Sequence, residues 1–337
     1  MKYTDLWEDL TRKMGYWVDM KNPYITYDSR YIETLWYLLK ELYNKGYLYK
    51  GYTIQPYSPA AGTGLSSHQF KIRNPKSEMS QFGTAYFLAW TTTPWTLPSN
   101  TALAVGANIE YVAVQTYNPY TSEKETVIAA KSLLFSLFNQ KAEGLALEDY
   151  KAGDKLVPFK VVGEWTGSEL AGMQYEQLIP WVNPGEGAFK VITGDFVTTE
   201  DGTGIVHIAP TFGADDAKVA KANNVPGMML TDKDGNLRPM VDLTGKFFKL
   251  EDLDADFVAK NINIDLYKEY AGRYVKNAYD DTLTDADATL DVDISVMLKQ
   301  QNKAFRIEKH VHNYPHCWRT DKPVLYYPLD SWFIRTT

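Results

Sequence analysis

The stretch Gly202-Thr203-Gly204-Ile205-Val206-His207-Ile208-Ala209-Pro210-Thr211-Phe212-Gly213-Ala214-Asp215-Asp216 passes from strand to turn to helix within one short segment. An apolar strand carries His207, and Pro210 ends it because proline has no amide proton for a ladder. Gly213 permits a tight turn into a helix started by Asp215 and Asp216, where the helix dipole favours carboxylates. Alone, either aspartate reads as a cap, and a lone histidine on an apolar strand reads more readily as a core residue than as a catalyst. The functional reading makes one carboxylate a fixed anion able to grip an ammonium group.

Short strands and turns continue on both sides. Thr84 to Thr91, Tyr111 to Gln115, Thr126 to Ala130, Leu156 to Val162, Phe189 to Thr193 and Gly204 to Ala209 read as strands. Asp201-Gly202 and Asp234-Gly235-Asn236 read as hairpin-type turns. Short helices are expected over Lys131 to Asn139, Asp215 to Asn223 and Asp293 to Asn302. Such a mixture predicts an α/β fold with a curved, barrel-like sheet surrounded by short helices.

Upstream, Tyr27 to Gly46 reads as one helix. Asp28 or Ser29 can cap it, Tyr31, Leu35, Leu38, Leu39, Leu42 and Tyr43 keep helical spacing, and Lys45-Gly46 supplies the exit. Tyr47 to Tyr57 alternates like a strand, and Ala60 to Ser67 is a small-residue connector. Residues 274 to 290 read as a polar, acidic loop. The last section is aromatic again (Tyr314, Trp318, Tyr326, Tyr327, Trp332, Phe333) and matches the opening more than the middle. The expected organisation is a leading segment 1–80, a central domain 81–275 and a return segment 276–337, the centre being inserted into a scaffold shared by the two ends.

At 45% hydrophobic and 23% charged residues the chain has the composition of a folded globular protein rather than a disordered one. Its apolar runs are too short to span a bilayer, and the N-terminus lacks the apolar core of a signal peptide. A single cysteine excludes an intramolecular disulfide framework and fits a reducing compartment, so the cytoplasm is expected and no membrane partner. A net charge of −7 argues against broad non-specific binding of nucleic acid but leaves room for a local patch. Lys299 to Lys309 is locally basic and reads as a solvated face.

The second segment able to carry chemistry is Trp90-Thr91-Thr92-Thr93-Pro94-Trp95-Thr96-Leu97-Pro98-Ser99-Asn100. Pro94 and Pro98 stop regular pairing, so threonine hydroxyls and an asparagine amide are presented from a stiff loop. Such hydroxyls can hold a water and a polar substrate without charge. The plain alternative is a sheet edge rich in threonine for its strand propensity. Other chemistries fail sooner. His310, His312, His316 and Cys317 offer zinc-binding atoms at crowded, irregular spacing. Cys317 has no group to orient a neighbouring histidine. There is no P-loop, no GxGxxG after a strand and no HExxH.

Together the two segments resemble the class I isoleucyl-tRNA synthetase family. Trp90 to Asn100 is similar to the threonine-rich segment of its editing domain, and Gly202 to Asp216 to the second editing motif, GTGxVHxAPxxGxxD. The flanks agree. Trp7-Glu8-Asp9-Leu10-Thr11, Gly15 to Asp19, Pro23-Tyr24, Lys45 to Gly51 and Pro56 to Pro59 resemble the segment leaving the nucleotide-binding fold. Tyr314 to Arg319 and Ser331-Trp332-Phe333 resemble the segment re-entering it. Valyl and leucyl enzymes usually carry Arg-Pro after the threonines; here Thr93 is followed by Pro94-Trp95-Thr96-Leu97-Pro98, the isoleucyl pattern. Two departures stand out. Neither the HIGH nor the KMSKS motif occurs, and the family would place one before residue 1 and the other after residue 337. Phe212 stands where many bacterial members carry histidine.

The resemblance implies an editing domain inserted between pieces of a Rossmann-like catalytic domain, acting as an aminoacyl-tRNA ester hydrolase. The substrate would be the valyl ester of tRNA(Ile), with valyl-adenylate as a second candidate. Asp216 would hold the α-ammonium, with Asp215 and Gly213 beside it. His207 would wall the pocket against the extra methylene of isoleucine. Thr91, Thr92, Thr93 and Asn100 would position ester and water, and Trp95 and Thr96 would shape the floor. No metal and no cofactor is expected for editing; ATP and Mg would serve only a full-length enzyme, and ligase activity is not expected of this chain. The partners implied are the acceptor end of tRNA(Ile) and the remainder of the synthetase. The alternatives are a non-catalytic tRNA-binding fragment and a free-standing trans-editing protein, the latter disfavoured by the aromatic flanks.

Overall fold

The computed structural model describes residues 4–21, 25–57, 65–75, 79–284, 287–308, 316–317 and 322–336. In chain order its strands are β1 (Leu48–Tyr57), β2 (Leu65–Lys71), β3 (Ala85–Thr91), β4 (Ala102–Val105), β5 (Glu110–Tyr117), β6 (Lys124–Ala130), β7 (Lys160–Thr166), β8 (Lys190–Thr193), β9 (Ile205–Ile208), β10 (Met229–Thr231), β11 (Leu237–Pro239), β12 (Ala304–Glu308) and β13 (Leu325–Ile334). The chain divides into two compact units, Met1–Tyr52 with Asp330–Thr337, and Thr53–Leu329.

The smaller unit contains helices Thr4–Lys13 and Ser29–Asn44. Asp28 caps the second by accepting from Arg30 N, as the sequence predicts. None of that helix's residues is buried, and Trp7, Trp17 and Trp36 are exposed. Lys50 pairs with Asp330, and Tyr49 stacks on Phe333.

The larger unit is built on a mixed sheet in the order β7-β5-β6-β3-β9-β4-β8, with β2 added to β3 and β12 to β2. β3 organises it. One edge pairs antiparallel with β2 along its length, from Ser66 opposite Thr91 to Lys71 opposite Tyr86. Its other edge is divided: Ala85–Phe87 runs parallel to Thr126–Ile128 of β6, and Trp90 lies opposite Val206 of β9. Two neighbours taking successive halves of one edge fork the sheet and curl it, in line with the expected curved α/β fold.

Side chains alternate between the faces, and both faces are covered. Phe87, Ala89, Tyr111, Ala113, Ile128 and Ala130 enter the main core, while Leu88, Val112, Val114 and Val127 meet Phe138, Phe159 and Phe305 behind. Leu103, Val105, Val191 and Ile205 face the main core; Ala102, Ala104, Ile192 and Ile208 pack with Ala220 and Val225. No helix is long and apolar enough to cross a membrane among the described residues.

Several elements differ from expectation. The strand read at Leu156 to Val162 lies at Lys160–Thr166, because Pro158 cannot donate and pairing with β5 starts only at Lys160 opposite Gln115. β8 and β9 flank β4 and do not pair with each other, so Asp201-Gly202 is a crossover turn rather than a hairpin. Asp234-Gly235-Asn236 does join a hairpin, β10 to β11, with Asp232 Oδ1 accepting from Asp234 N and Asn236 N. Residues 65–67 of the supposed connector belong to β2, and residues 60–64 lie outside the described residues. β2, β12 and helix Leu290–Gln300, placed by the reading in flanking segments 1–80 and 276–337, belong to the larger unit.

Tyr111 ties this sheet to the turn that starts β9. Its fully buried hydroxyl donates to Gly204 O at 2.7 Å and accepts from Gly106 N at 2.9 Å. Burial pushes the phenol up to about 12. Tyr111→Phe removes the partner of both backbone groups and is expected to cost about 1–3 kcal/mol. Urea unfolding with an unchanged slope and a lower midpoint is the expected result; an unchanged midpoint would mean the two groups find other partners.

Candidate functional site

Because Trp90 sits opposite Val206 in the parallel β3–β9 pair, the next residues, Thr91 and His207, emerge on the same face. Thr91 Oγ1 lies 3.2 Å from His207 Nε2. Pro94 ends β3, and Pro94–Ser99 forms a short 3-10 helix whose six residues are all buried. That turn brings Thr96 Oγ1 to within 3.2 Å of the same nitrogen. Thr93 Oγ1 closes the group at 3.3 Å from the hydroxyls of both Thr91 and Thr96.

The hydrogen bonds select the imidazole's form. Thr96 Oγ1 spends its proton on Thr93 O at 2.8 Å, so towards His207 it can only accept. His207 Nε2 therefore carries the proton and donates. Nδ1 has no partner among the described residues. Burial lowers the pKa of His207 to about 4, so the ring is neutral at pH 7. His68 on β2, wholly buried, is lowered to about 3 by burial and then by His207. The cluster is thus uncharged: three hydroxyls around one imidazole donor.

The second motif supplies the charge. Helix Ala214–Ala222 starts after Gly213, and Asp216 Oδ2 accepts from Ala209 N at 2.8 Å, tying the helix start to the end of β9. Burial raises the Asp216 carboxyl to about 6, opposed by the Ala209 bond and reinforced by the charge of Asp215. Gly213 is required by this approach, since a Cβ there would lie 2.6 Å from Asp216 Cγ. Asp215 is exposed. Trp95 meets Phe212 edge-on, ring centroids 4.9 Å apart, so the two motifs touch through the residue that departs from the bacterial pattern.

Asn100 is not part of this group. Its amide donates to Ala102 O at 2.8 Å and its oxygen accepts from Tyr175 Oη at 2.6 Å. Both ends are thus engaged inside the sheet at the exit of the loop. Thr92 is half-buried. The sequence reading also missed Asp291 and Lys276. Trp95 N donates to Asp291 Oδ1 at 2.9 Å, and Lys276 Nζ lies 2.6 Å from Asp291 Oδ2. For Asp291 a signal was present: it falls in the buried stripe of helix Leu290–Gln300, with Ile294, Ser295 and Leu298.

A cavity of about 250 Å³ lies apart from both motifs, lined by Gln69, Asn118, Glu125, Glu176 and Lys303 among others. Its polar groups satisfy one another: Gln69 Nε2 donates to Glu125 at 2.6 Å, Lys71 pairs with Glu176, and Lys303 donates to Leu178 O. Among the described residues no three His, Cys, Asp or Glu side chains could hold a metal ion. His310 and His312 lie outside the described residues.

The family model for class I tRNA synthetases (I, L, M and V) matches residues 1–337. Isoleucine–tRNA ligases of Bacteroides fragilis (strain YCH46) and Porphyromonas gingivalis are 71% and 67% identical over the whole chain, which spans 31% of the length of each. That of Cytophaga hutchinsonii is 55% identical, again over the whole chain and 31% of the relative. Among solved structures, the editing domain of P. knowlesi cytosolic leucyl-tRNA synthetase is similar at 14% identity and a TM-score of 0.43, covering 74% of this chain and 98% of that one. The chain belongs to the class I tRNA synthetases of the isoleucine, leucine, methionine and valine group.

Proposed function

We propose that the larger unit is the editing hydrolase of an isoleucyl-tRNA synthetase and removes valine from tRNA(Ile). The observation that carries this reading is the neutral cluster of Thr91, Thr93 and Thr96 around His207 Nε2, joined through the Trp95–Phe212 contact to the segment bearing Asp216. Uncharged donors suit an ester carbonyl and a water, and a carboxylate suits the α-ammonium that every aminoacyl ester carries. The isoleucine–tRNA ligases matched over the whole chain support the choice of amino acid.

A synthetic pocket that fits isoleucine gains roughly 1–3 kcal/mol over valine, a general figure usually illustrated with this amino-acid pair and not a quantity read from this chain. A second, smaller pocket corrects the error. In it Asp216 holds the ammonium, His207 rejects the extra methylene, Thr91, Thr92, Thr93 and Thr96 orient ester and water, and Trp95 forms the floor. His207, with its pKa near 4 and Nε2 already a donor, is no general base. Hydrolysis then rests on positioning, with the terminal ribose hydroxyl of the tRNA assisting the water. The reading calls for no metal or organic cofactor; ATP and Mg belong to ligation by the longer enzyme. The tRNA and the rest of the synthetase are the partners, and the exposed aromatics of the smaller unit suit the latter.

Deacylation of valyl-tRNA(Ile), beside isoleucyl-tRNA(Ile), tests the reading. Valine is expected to be released selectively, and Asp216→Ala to slow release by about 100-fold, the worth of a charge-assisted contact of about 3 kcal/mol. Equal loss of both amino acids, or none from the chain and from the longer enzyme alike, would sink it. Because the ammonium needs the ionised carboxylate, kcat/KM should fall as pH drops through about 6.

The same carboxylate costs stability. A carboxyl whose folded pKa is raised binds its proton more readily in the native state, so native stability declines as pH rises from about 4 through about 6. Asp216→Asn keeps an acceptor for Ala209 N without the charge. It is expected to be more stable than the parent above pH 6, by up to about 3 kcal/mol, with the difference vanishing towards pH 4. Denaturant titrations at pH 4.5 and 7.5 check this; a difference independent of pH would contradict it.

A further inference from the structure

The 3-10 helix that carries Trp95 and Thr96 begins without a cap of its own. Its N-cap residue, Thr93, makes no side-chain cap bond, and Pro94 has no amide proton. Thr96 N bonds to Thr93 O at 3.0 Å, which leaves Trp95 N as the first donor without a partner inside the turn. A capping threonine would ordinarily turn its hydroxyl onto such a donor. Thr93 Oγ1 is instead held between the hydroxyls of Thr91 and Thr96. The acceptor comes from elsewhere in the chain: Asp291 Oδ1, 2.9 Å from Trp95 N.

We propose that Asp291, held by Lys276, is a positioning residue for the threonine loop. By capping the loop's turn from outside, it releases the Thr93 hydroxyl for the cluster around His207. Its other oxygen is fixed by Lys276 Nζ at 2.6 Å, and the two side chains are only 2% and 1% exposed. Burial lowers the Lys276 pKa and the Asp291 charge opposes that shift. A buried pair of this kind is a poor way to gain stability, since apolar residues of similar volume often serve as well. Its use here is geometric: a carboxylate with one oxygen clamped presents the other in one place. The catalytic consequence rests on the editing reading above; the control of loop geometry does not.

Two charge-balanced double variants separate the cap from the ion pair. Lys276→Met with Asp291→Asn removes both charges and keeps an oxygen for Trp95 N. Lys276→Met with Asp291→Leu removes the charges and the acceptor. Both are made in the chain and in the longer synthetase, with thermal unfolding showing that each is folded. Hydrogen exchange of the Trp95 amide is read by 15N-tryptophan labelling, and valyl-tRNA(Ile) deacylation alongside. The leucine variant is expected to exchange Trp95 at least about tenfold faster than the asparagine variant, and to lose about tenfold in kcat with little change in KM. Equal exchange in the two variants overturns the proposal whatever their activity. Faster exchange in the leucine variant, with no hydrolysis by any form including the parent, upholds the positioning role and removes the editing reading instead. Faster exchange with equal, measurable kcat overturns the link between loop and rate.

Discussion

One parallel pairing, Trp90 of β3 opposite Val206 of β9, determines where the chemistry can be. Side chains alternate along a strand, so a slip by one residue would send either Thr91 or His207 to the opposite face and dissolve the cluster. The pairing is short, and its register is secured indirectly. β3 is locked along its other edge by β2, while β9 is locked by four residue pairs with β4, from Ala102 opposite Ile208 to Val105 opposite Ile205. Ile205 and Val105 on one face, and Ile208 and Ala104 on the other, would all be misplaced by a slip.

Around this frame the molecule separates two electrostatic regimes. Around His207 Nε2 the side chains of Thr91, Thr93 and Thr96 are neutral, and burial keeps His207 so. The carboxylates Asp216 and Asp291 are bonded to backbone amides outside that cluster. Asp216 is bonded to the backbone at the end of β9, and Asp291 lies beneath Trp95 with its own counter-ion. Asp291 therefore acts on the loop through the Trp95 amide and adds no charge among the hydroxyls.

Much of this was legible in the sequence. β3, β5, β6 and β9 could be read because they are short runs rich in apolar, β-branched and aromatic residues, broken by polar and turn residues, which act locally. The helix beginning at Ala214 followed from Gly213 and two aspartates for the same reason. What escaped notice depends on distant partners. Ala60 to Ser67 reads as a small-residue connector, yet residues 65–67 open a strand on which Ser67, His68 and Gln69 are buried, Gln69 bonded to Glu125. The bond that Asn100 Oδ1 accepts comes from Tyr175, 75 residues away. Lys276 sits in a stretch that reads as a polar, acidic loop, yet it is buried beside Asp291, a partner 15 residues away.

The remote cap has a consequence for how such a domain can change. The loop from Trp90 to Asn100 is not a self-contained cassette, because the acceptor for its turn lies 196 residues further along the chain. Transplanting the threonine segment between related enzymes without residues 276 and 291 would carry the hydroxyls but not the device that aims them. Drift at either charged position is constrained in the same way, since losing one removes the opposite charge beside the other in the interior. Positions 276 and 291 are therefore coupled to each other and to the loop they cap, whereas residue 95 enters only through its backbone amide, which any residue but proline supplies.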